Sequence, residues 1–555
     1  MGFTKPVLPP YDAVEWAQKP FPERAQLACE SWALDGFGSP SGVYLLYGLK
    51  IAFYVAMWVF FCSFTPGLGH LGSIDDWWLM PVAFQKAILW SMLFEGLGLG
   101  CGSGPLTGRY VPPIGGFLYF LRPGTTKNPA IPGLPLLGGS RRTPLDCVLY
   151  AGVVVLLLVA LVSSAPSTGI LIAIVGLYLV LGMIDKGMFL SARAEHYWTA
   201  LVIFVLAENW FPGAKALWLA LWFWAGFSKL NHHFTAVVGT MTSNNPFTQP
   251  FKALRKGMYR DFPRDMSPSW RANIAHGGTI VEFAVPTLLF LGKGGTVTTV
   301  GLCLMVFLHC FIMSNVPAGV PLEWNVMMIF GGFFLFSQHP HVSIFDMSPA
   351  TGVFLSVMLV VIPVLGNLFP SRISFLMSMR YYAGNWPYSV WLFRGDSYKK
   401  LERLTKWAPW VPDQLMKMYD ENTAFAISGK LVGFRLMHLQ GRALGLLVPK
   451  AVERLEDYAW TDGEILCGMV TGWNFGDGHL HNEQLLRSVQ EQCGFEEGEL
   501  RCIFVESQPV GRHTLNYRIA DASSGQIEQG DVDVRELRRR QPWTMGPLDV
   551  GSQSS

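Results

Sequence analysis

The residues best placed to do chemistry are ionisable side chains inside or at the ends of otherwise apolar stretches. Burying such groups in a membrane is costly, so each is a candidate functional residue. The set comprises Glu95, Asp185, His196, Glu208, Lys229, His276, Glu282 and His309. His196 opens one apolar stretch, Lys229 closes the next, and His276 opens a later one. Helices of one bundle can therefore bring these three residues to a shared polar pocket.

Lys229 ends the most distinctive stretch, 217–234, which reads LWLALWFWAGFSKLNHHF. A lysine at the end of a Trp-rich apolar helix either anchors the helix at the headgroups or acts as a base in a dehydrated pocket. Spacing alone favours the anchor. In the second case, a neutral lysine abstracts a weakly acidic proton while a histidine hydrogen-bonds the resulting anion.

Each histidine also has a structural interpretation, as a hydrogen-bonding residue between helices. His276 and Glu282 are six residues apart and do not share a helical face, so they do not form a helical metal pair. Asp477, His479 and His481 (DGHLH) favour a turn over a metal site. We therefore predict no metal. An acyltransferase with His309 as its buried histidine is a weaker alternative, because no Asn or Asp accompanies it at a suitable spacing.

Four ordered segments resemble those of the vitamin K-dependent gamma-glutamyl carboxylases and the horizontally transferred transmembrane (HTTM) domains related to them, including an actinobacterial branch. Residues 225–234 (AGFSKLNHHF) are similar to the segment that carries the carboxylase base. The other three segments are His196-Tyr197-Trp198, His276-Gly277-Gly278 and Phe307-Leu308-His309-Cys310. All four occur along the chain in the same order as in the family. The resemblance covers residues 40–370.

The resemblance implies that Lys229 deprotonates a reduced quinone, with menaquinone as the expected cofactor, and that His196 hydrogen-bonds the anionic intermediate. It gives His276 and His309 pocket-lining roles. We add Glu282, Asn231 and Trp224 to the predicted substrate-binding residues. Ser228 departs from the animal carboxylases, which have a second lysine at that position.

The composition predicts an all-α polytopic membrane bundle with a small C-terminal α+β soluble domain. Half of the 555 residues are hydrophobic, 15% are charged, and the net charge is +2, which gives no basic field for a nucleic acid. Nine scattered cysteines form neither a disulfide framework nor a zinc motif. Ten apolar stretches have approximately membrane length. They are 43–63, 84–103, 146–165, 168–186, 196–212, 214–229, 276–292, 296–316, 324–338 and 350–369.

Lysines and arginines concentrate in alternate loops, after the second, fourth and sixth stretches. With ten spans, the positive-inside rule places both termini in the cytoplasm. The resemblance to the actinobacterial branch implies that the membrane is the bacterial inner membrane. The loop 230–275 is either a lid or headgroup-binding segment or a solvated connector.

We predict five regions along the chain: an interfacial helix at 1–40, a transmembrane domain at 41–370, an interfacial aromatic segment at 371–425, a soluble α+β domain at 426–541 and a disordered tail at 542–555. Within the soluble domain we expect strands at 464–472, 500–507, 512–520 and 526–534, and a helix at 482–493 closed by Gly494.

Two functions are consistent with these patterns. The first is a membrane enzyme that acts on a lipid or quinone-type substrate, with Lys229 as base and His196 as its partner. The alternative is a non-enzymatic component that binds membrane lipids or scaffolds a cell-envelope assembly or transport complex with protein partners.

Overall fold

The chain is mostly helical in the computed structural model, which describes residues 2–135, 137–316, 321–373, 380–475 and 478–548. We number the helices of eight or more residues in chain order. They are α1 (Phe21–Asp35), α2 (Ser41–Cys62), α3 (Pro81–Gly96), α4 (Pro144–Val162), α5 (Thr168–Ile184), α6 (Ala194–Leu206), α7 (Phe211–Ser228), α8 (Phe234–Thr242), α9 (Ala275–Gly292), α10 (Gly295–Met313), α11 (Leu322–Gly332), α12 (Pro349–Leu368), α13 (Glu421–Met437), α14 (Leu444–Ala451), α15 (Gly463–Thr471) and α16 (Glu483–Cys493).

Five helices in the described ranges are long and apolar enough to cross a membrane, so the expectation of ten spans is not supported. They are Ser41–Cys62, Pro144–Val162, Trp270–Gly292, Gly295–Met313 and Pro349–Leu368. A 22-residue helix is about 33 Å long, against a hydrocarbon core of about 30 Å. On α2, Leu46 is 64% exposed, as expected of a side chain that faces lipid.

The other apolar stretches are also helical, but they are short or enclosed by the protein. Helix α6 has 13 residues and is therefore about 20 Å long. Helix α3 has 16 residues, and its side chains from Lys86 to Glu95 are all buried inside the bundle. Apolar composition arises from burial in protein as well as in lipid, which is why the sequence overestimated the number of spans.

The C-terminal region contains a five-stranded antiparallel sheet. A separate two-stranded ribbon, β1 (Tyr259–Asp261) with β2 (Asp265–Pro268), lies in the loop before α9. The strands of the larger sheet are β3 (Tyr388–Arg394), β4 (Tyr458–Asp462), β5 (Leu500–Val505), β6 (Thr514–Asp521) and β7 (Gly525–Asp533). Their order across the sheet is β4-β3-β5-β6-β7.

Three expected strands and one expected helix of this region are confirmed. Strands β5, β6 and β7 occupy the predicted positions, and α16 ends at Gly494, which adopts a left-handed φ of 62°. The strand expected at 464–472 is wrong, because these residues form α15. Asp462 caps this helix by accepting a hydrogen bond from Ile465 N, and a short apolar run does not distinguish a strand from a buried helix.

Strand β3 comes from the stretch predicted to be interfacial, and it lies between β4 and β5 in the sheet. The sheet therefore includes residues on both sides of the predicted boundary at 425/426. Residues 542–548 lie against α14, where Gly546 N donates to Gly445 O at 2.9 Å. The rest of the predicted tail, 549–555, lies outside the described residues.

Helix α1 packs on α13, so the N-terminal and C-terminal regions share one hydrophobic core. The ring of Trp32 lies 5.1 Å from that of Phe434, and its indole N–H donates to Thr240 O at 2.9 Å. A Cβ at Gly433 would lie only 2.5 Å from Ala28 O, so glycine permits this close approach. The two regions therefore lie on the same side of the bundle.

Candidate functional site

Lys229 lines a cavity of about 260 Å³, here called the bundle cavity, where α7–α11 meet α13. Its wall is mainly apolar and aromatic, and six polar or charged side chains on it are central to the site. They are Lys229, Glu282, His309, Tyr382, Arg435 and His438. An apolar cavity with a few polar groups is typical of a site for a small or lipid-like molecule.

Lys229 forms an ion pair with Glu282 Oε1 of α9. The two residues are 8% and 3% exposed, and Lys229 Nζ lies 5.3 Å from the centre of the Phe234 ring. The second carboxylate oxygen, Glu282 Oε2, has no hydrogen-bond partner among the described residues. The pair therefore places an unused acceptor atom in a low-dielectric site, where electrostatic interactions are strong.

Gly226 allows α7 to approach α9 closely enough for this pair to form. A Cβ at position 226 would lie 3.2 Å from Phe283 Cδ2 and 3.4 Å from Glu282 Cβ. The first separation is tighter than an ordinary van der Waals contact. The glycine three residues before Lys229 thus has a packing role in the helix contact that positions the lysine.

His309 also lines the bundle cavity, but both of its ring nitrogens are already hydrogen-bonded. Trp222 Nε1 donates to His309 Nε2 at 2.9 Å, so the proton lies on Nδ1, which donates to Asn325 Oδ1 at 2.7 Å. The imidazole is therefore neutral and fixed in one tautomer. This arrangement gives His309 the interhelical role that the sequence left open, and Asn325 is a partner that spacing did not identify.

His196 is not among the residues that line the bundle cavity, and Trp324 connects it to the cavity wall. Trp324 Nε1 donates to His196 Nδ1 at 3.0 Å, so His196 carries its proton on Nε2. That nitrogen has no hydrogen-bond partner within the described ranges. The structure therefore does not place Lys229 and His196 on one cavity wall.

Three other predicted site residues lie close to the cavity without lining it. His276 is partly buried, with its ring 6.3 Å from that of Phe234. Asn231 accepts hydrogen bonds from His233 N and Phe234 N at 2.7 and 3.1 Å, which turns the chain after α7. Trp224 donates to Leu359 O at 2.8 Å and so joins α7 to α12.

The C-terminal region contributes Arg435 and His438, which the sequence analysis did not select. Both lie on α13 or at its end, three residues apart and hence on one helical face. Arg435 pairs with Asp462 at 2.9 Å and with Glu464 at 2.6 Å, and Tyr381 donates to Glu464 at 2.7 Å. Although burial lowers the pKa of Arg435, the two carboxylates raise it well above its ordinary value.

Within the described ranges, one ring nitrogen of His438 is hydrogen-bonded and the other is not. Its Nδ1 lies 2.7 Å from Phe434 O, an atom that only accepts, so Nδ1 carries the proton and Nε2 keeps a lone pair. Burial and, to a smaller degree, the charge of Arg435 lower the pKa of His438 to about 3. The sequence shows that Arg435 and His438 are three residues apart. We did not select them because residues 426–541 were predicted to form a soluble domain separate from the helix bundle.

A second buried cluster joins α3 to α11 and contains Glu95, Cys101 and Glu323, whose ligand atoms lie within 4.8 Å of one another. Arg193 pairs with Glu95 at 2.9 Å and contacts Cys101, while Lys50 lies 3.8 Å from Glu323 Oε2. Two cations thus offset two carboxylates, which fits an ion network better than a metal centre.

This ion network reaches the bundle cavity through Tyr382, whose hydroxyl accepts from Arg193 Nη1 at 2.9 Å.

In the DGHLH segment, Asp477 lies outside the described residues. His479 pairs with Glu506 at 3.0 Å, and His481 contacts Ser389 Oγ at 2.7 Å. The two histidines therefore interact with different partners.

The fold and the site define a polytopic α-helical membrane protein whose C-terminal region completes a cavity in the helix bundle. The chain belongs to the family of transmembrane proteins of unknown function (DUF3556), whose model matches residues 1–552. The match includes both Lys229 and His438. No curated protein and no solved structure matches the chain.

Proposed function

We propose that this protein is a membrane enzyme that binds a lipid or quinone-type molecule in the bundle cavity and transfers a proton through Lys229 and Glu282. The observation that carries the proposal is the ion pair on a mainly apolar wall, with Glu282 Oε2 left without a hydrogen-bond partner in the described part of the chain. Buried ionic groups inside a bundle are costly and are typical of functional sites.

The chemistry follows from the pair itself. Transfer of the Lys229 proton to Glu282 leaves a neutral amine beside a neutral carboxylic acid, a combination that an apolar site tolerates better than separated charges. The amine then accepts a proton from a hydroxyl group of the bound molecule. The resulting lysine ammonium stabilises the oxyanion that remains on the substrate.

His196 acts in this proposal as a positioning residue for Trp324 rather than as a direct partner of the anion, because Trp324 links it to the cavity wall. Reduced menaquinone is the proposed substrate, in line with the four carboxylase-like segments. The proposed location is the bacterial inner membrane, with both terminal regions in the cytoplasm and membrane lipids filling the cavity entrance.

The test compares K229M, K229R and E282Q with K215M in lipid nanodiscs. Lys215 is a matched control, because it is a buried lysine of the same helix that donates to His339 O and Val342 O and does not line the bundle cavity. Mass spectrometry identifies the bound lipid or quinone, and turnover of added menaquinol measures activity. We expect at least a 100-fold loss of turnover in K229M and E282Q and less than a threefold change in K215M. Unchanged turnover in K229M would overturn the proposal.

A second candidate function is lipid binding or scaffolding of an envelope complex without turnover. The observation that favours it is the hydrogen bonding of His309, in which both nitrogens serve helix packing. Under this function, the protein co-purifies with stoichiometric protein partners, and menaquinol and membrane lipids are bound but not converted.

A further inference from the structure

We infer that His438 binds a hydroxyl group of the molecule in the bundle cavity, so that the C-terminal region selects a hydrogen-bond donor as ligand. This inference rests on the proposed function and deepens it, since it names the chemical form of the ligand as an apolar alcohol or phenol.

The position of His438 makes it a residue of the cavity rather than of the C-terminal core alone. It is 2% exposed, lines the bundle cavity, and packs between the rings of Trp386 and Phe434, whose centres lie 5.0 and 4.8 Å from its own. These contacts hold the imidazole in one orientation. The flanking rings leave apolar surface for the body of a ligand.

The hydrogen bond to Phe434 O determines whether His438 presents a donor or an acceptor to a ligand. Because Nδ1 donates to that carbonyl, the remaining nitrogen, Nε2, is an acceptor. No residue of the described chain is hydrogen-bonded to Nε2. A neutral imidazole acceptor in an apolar wall binds an O–H or N–H group and gives no such bond to an ether or a carbonyl oxygen.

Glu282 points to the same ligand chemistry independently. Its Oε2 atom is also a buried acceptor without a hydrogen-bond partner among the residues that the structure describes. Two unfilled acceptors on one cavity favour a ligand that brings donors. The same cavity disfavours the oxidised, carbonyl form of such a ligand, which would leave both acceptors unpaired.

Three other polar side chains of the wall already have partners within the protein. Tyr381 donates its hydroxyl proton to Glu464, and Arg435 is held by Asp462 and Glu464. Asn325 Nδ2 donates to Pro321 O at 2.7 Å. These donors are therefore already used within the protein, whereas Trp386 Nε1 is a buried donor without a hydrogen-bond partner among the described residues. A hydroxyl group can accept from such a donor and also donate to His438, which an ether cannot do.

The experiment uses two probes of nearly equal shape, 4-heptylphenol and its methyl ether 4-heptylanisole, with the full-length protein in nanodiscs. Binding is followed by tryptophan fluorescence at equal mole fractions of probe in the lipid. Wild-type protein is expected to bind the phenol about tenfold more tightly than the ether, the contribution of one buried hydrogen bond. H438F loses that preference, whereas H438Q, which keeps an acceptor, retains it.

H233F is the matched control, because His233 is equally buried and bonded to Gln440 and Gln508 but does not line the bundle cavity. It is expected to keep the phenol preference. An undiminished preference in H438F would overturn the role of His438. The role of His438 would also be overturned if both probes bound equally tightly and K229M weakened both to the same degree. That result would leave the proposed function intact. Failure of both probes to bind would instead count against the cavity as a ligand site.

Discussion

At the scale of single residues, Glu282 determines what Lys229 can do. An isolated lysine at this depth would lose its proton or reach for the headgroups. Paired with Glu282, it stays in the cavity wall. The snorkelling anchor, which spacing alone favoured, therefore does not describe this side chain. The sequence identified both residues as candidates, but the pairing depends on the contact between α7 and α9, which residue spacing does not encode.

The ion pair predicts a specific pattern of stability. K229M leaves the Glu282 carboxyl buried without its cation, which costs about 3 kcal/mol or more. The double variant K229M/E282M replaces the pair with apolar side chains and is expected to recover at least half of that loss. Thermal unfolding in detergent, followed by circular dichroism, measures both effects. A double variant as unstable as the sum of its single variants would show that the two side chains do not interact.

At the scale of elements, the apolar stretches were a reliable guide to helices but not to how many cross the membrane. All ten stretches contain helix, because continuous apolar runs satisfy their backbone hydrogen bonds internally. The apolar run at 464–472 fits a strand or a helix by composition alone, and in the structure it is a helix capped by Asp462 and Gly472. Strand β3 was missed because its Tyr, Trp and Arg residues resemble an interfacial composition, and its hydrogen-bonding partners lie more than 60 residues away.

The site was predictable only in part, for a related reason. Lys229, Glu282 and His309 lie in apolar stretches, where an ionisable residue stands out, and all three line the bundle cavity. His438 lies in a polar region, where a histidine is unremarkable. Its contribution depends on the docking of α13 against the bundle, which is a tertiary contact.

The contact between α1 and α13 contains a buried lysine that makes stability depend on pH. Lys430 is 3% exposed and donates to Ser31 O at 3.1 Å. Burial lowers its pKa from 10.5 to about 8, and nearby Asp35 only partly opposes this effect. Between those two values the unfolded chain binds more protons than the folded protein, so stability rises with pH through this window.

K430M is expected to remove this dependence and to stabilise the protein at pH 7 by ~1–3 kcal/mol, since the cost of burying the charge disappears. The measurement is the unfolding temperature of wild-type and variant protein between pH 7 and pH 10. The two curves should converge as the pH rises. A difference that stays constant across this range would contradict the role assigned to Lys430.

At the scale of the whole molecule, the packing of α1 on α13 constrains the topology more strongly than the charges of the loops. Two regions that share a core lie on the same side of the membrane, which requires an even number of crossings between them. The described part of the chain contains five helices long enough to cross, which is an odd number. Either one of them does not cross, or shorter helices of the bundle complete a further crossing.

This constraint predicts the accessibility of single cysteines to a membrane-impermeant maleimide. K19C, beside α1, and K450C, in α14, are expected to react from the same side, which is the cytoplasm in the proposed orientation. K293C, in the short connection between α9 and α10, is expected to react from the opposite side, because α9 is long enough to cross the membrane. Labelling of intact cells and of inverted vesicles distinguishes the two faces, with the unsubstituted protein as background. If K19C and K450C reacted from opposite faces, α1 and α13 could not share a core. The bundle cavity would then lack its wall from α13, and both Arg435 and His438 would lie outside the site.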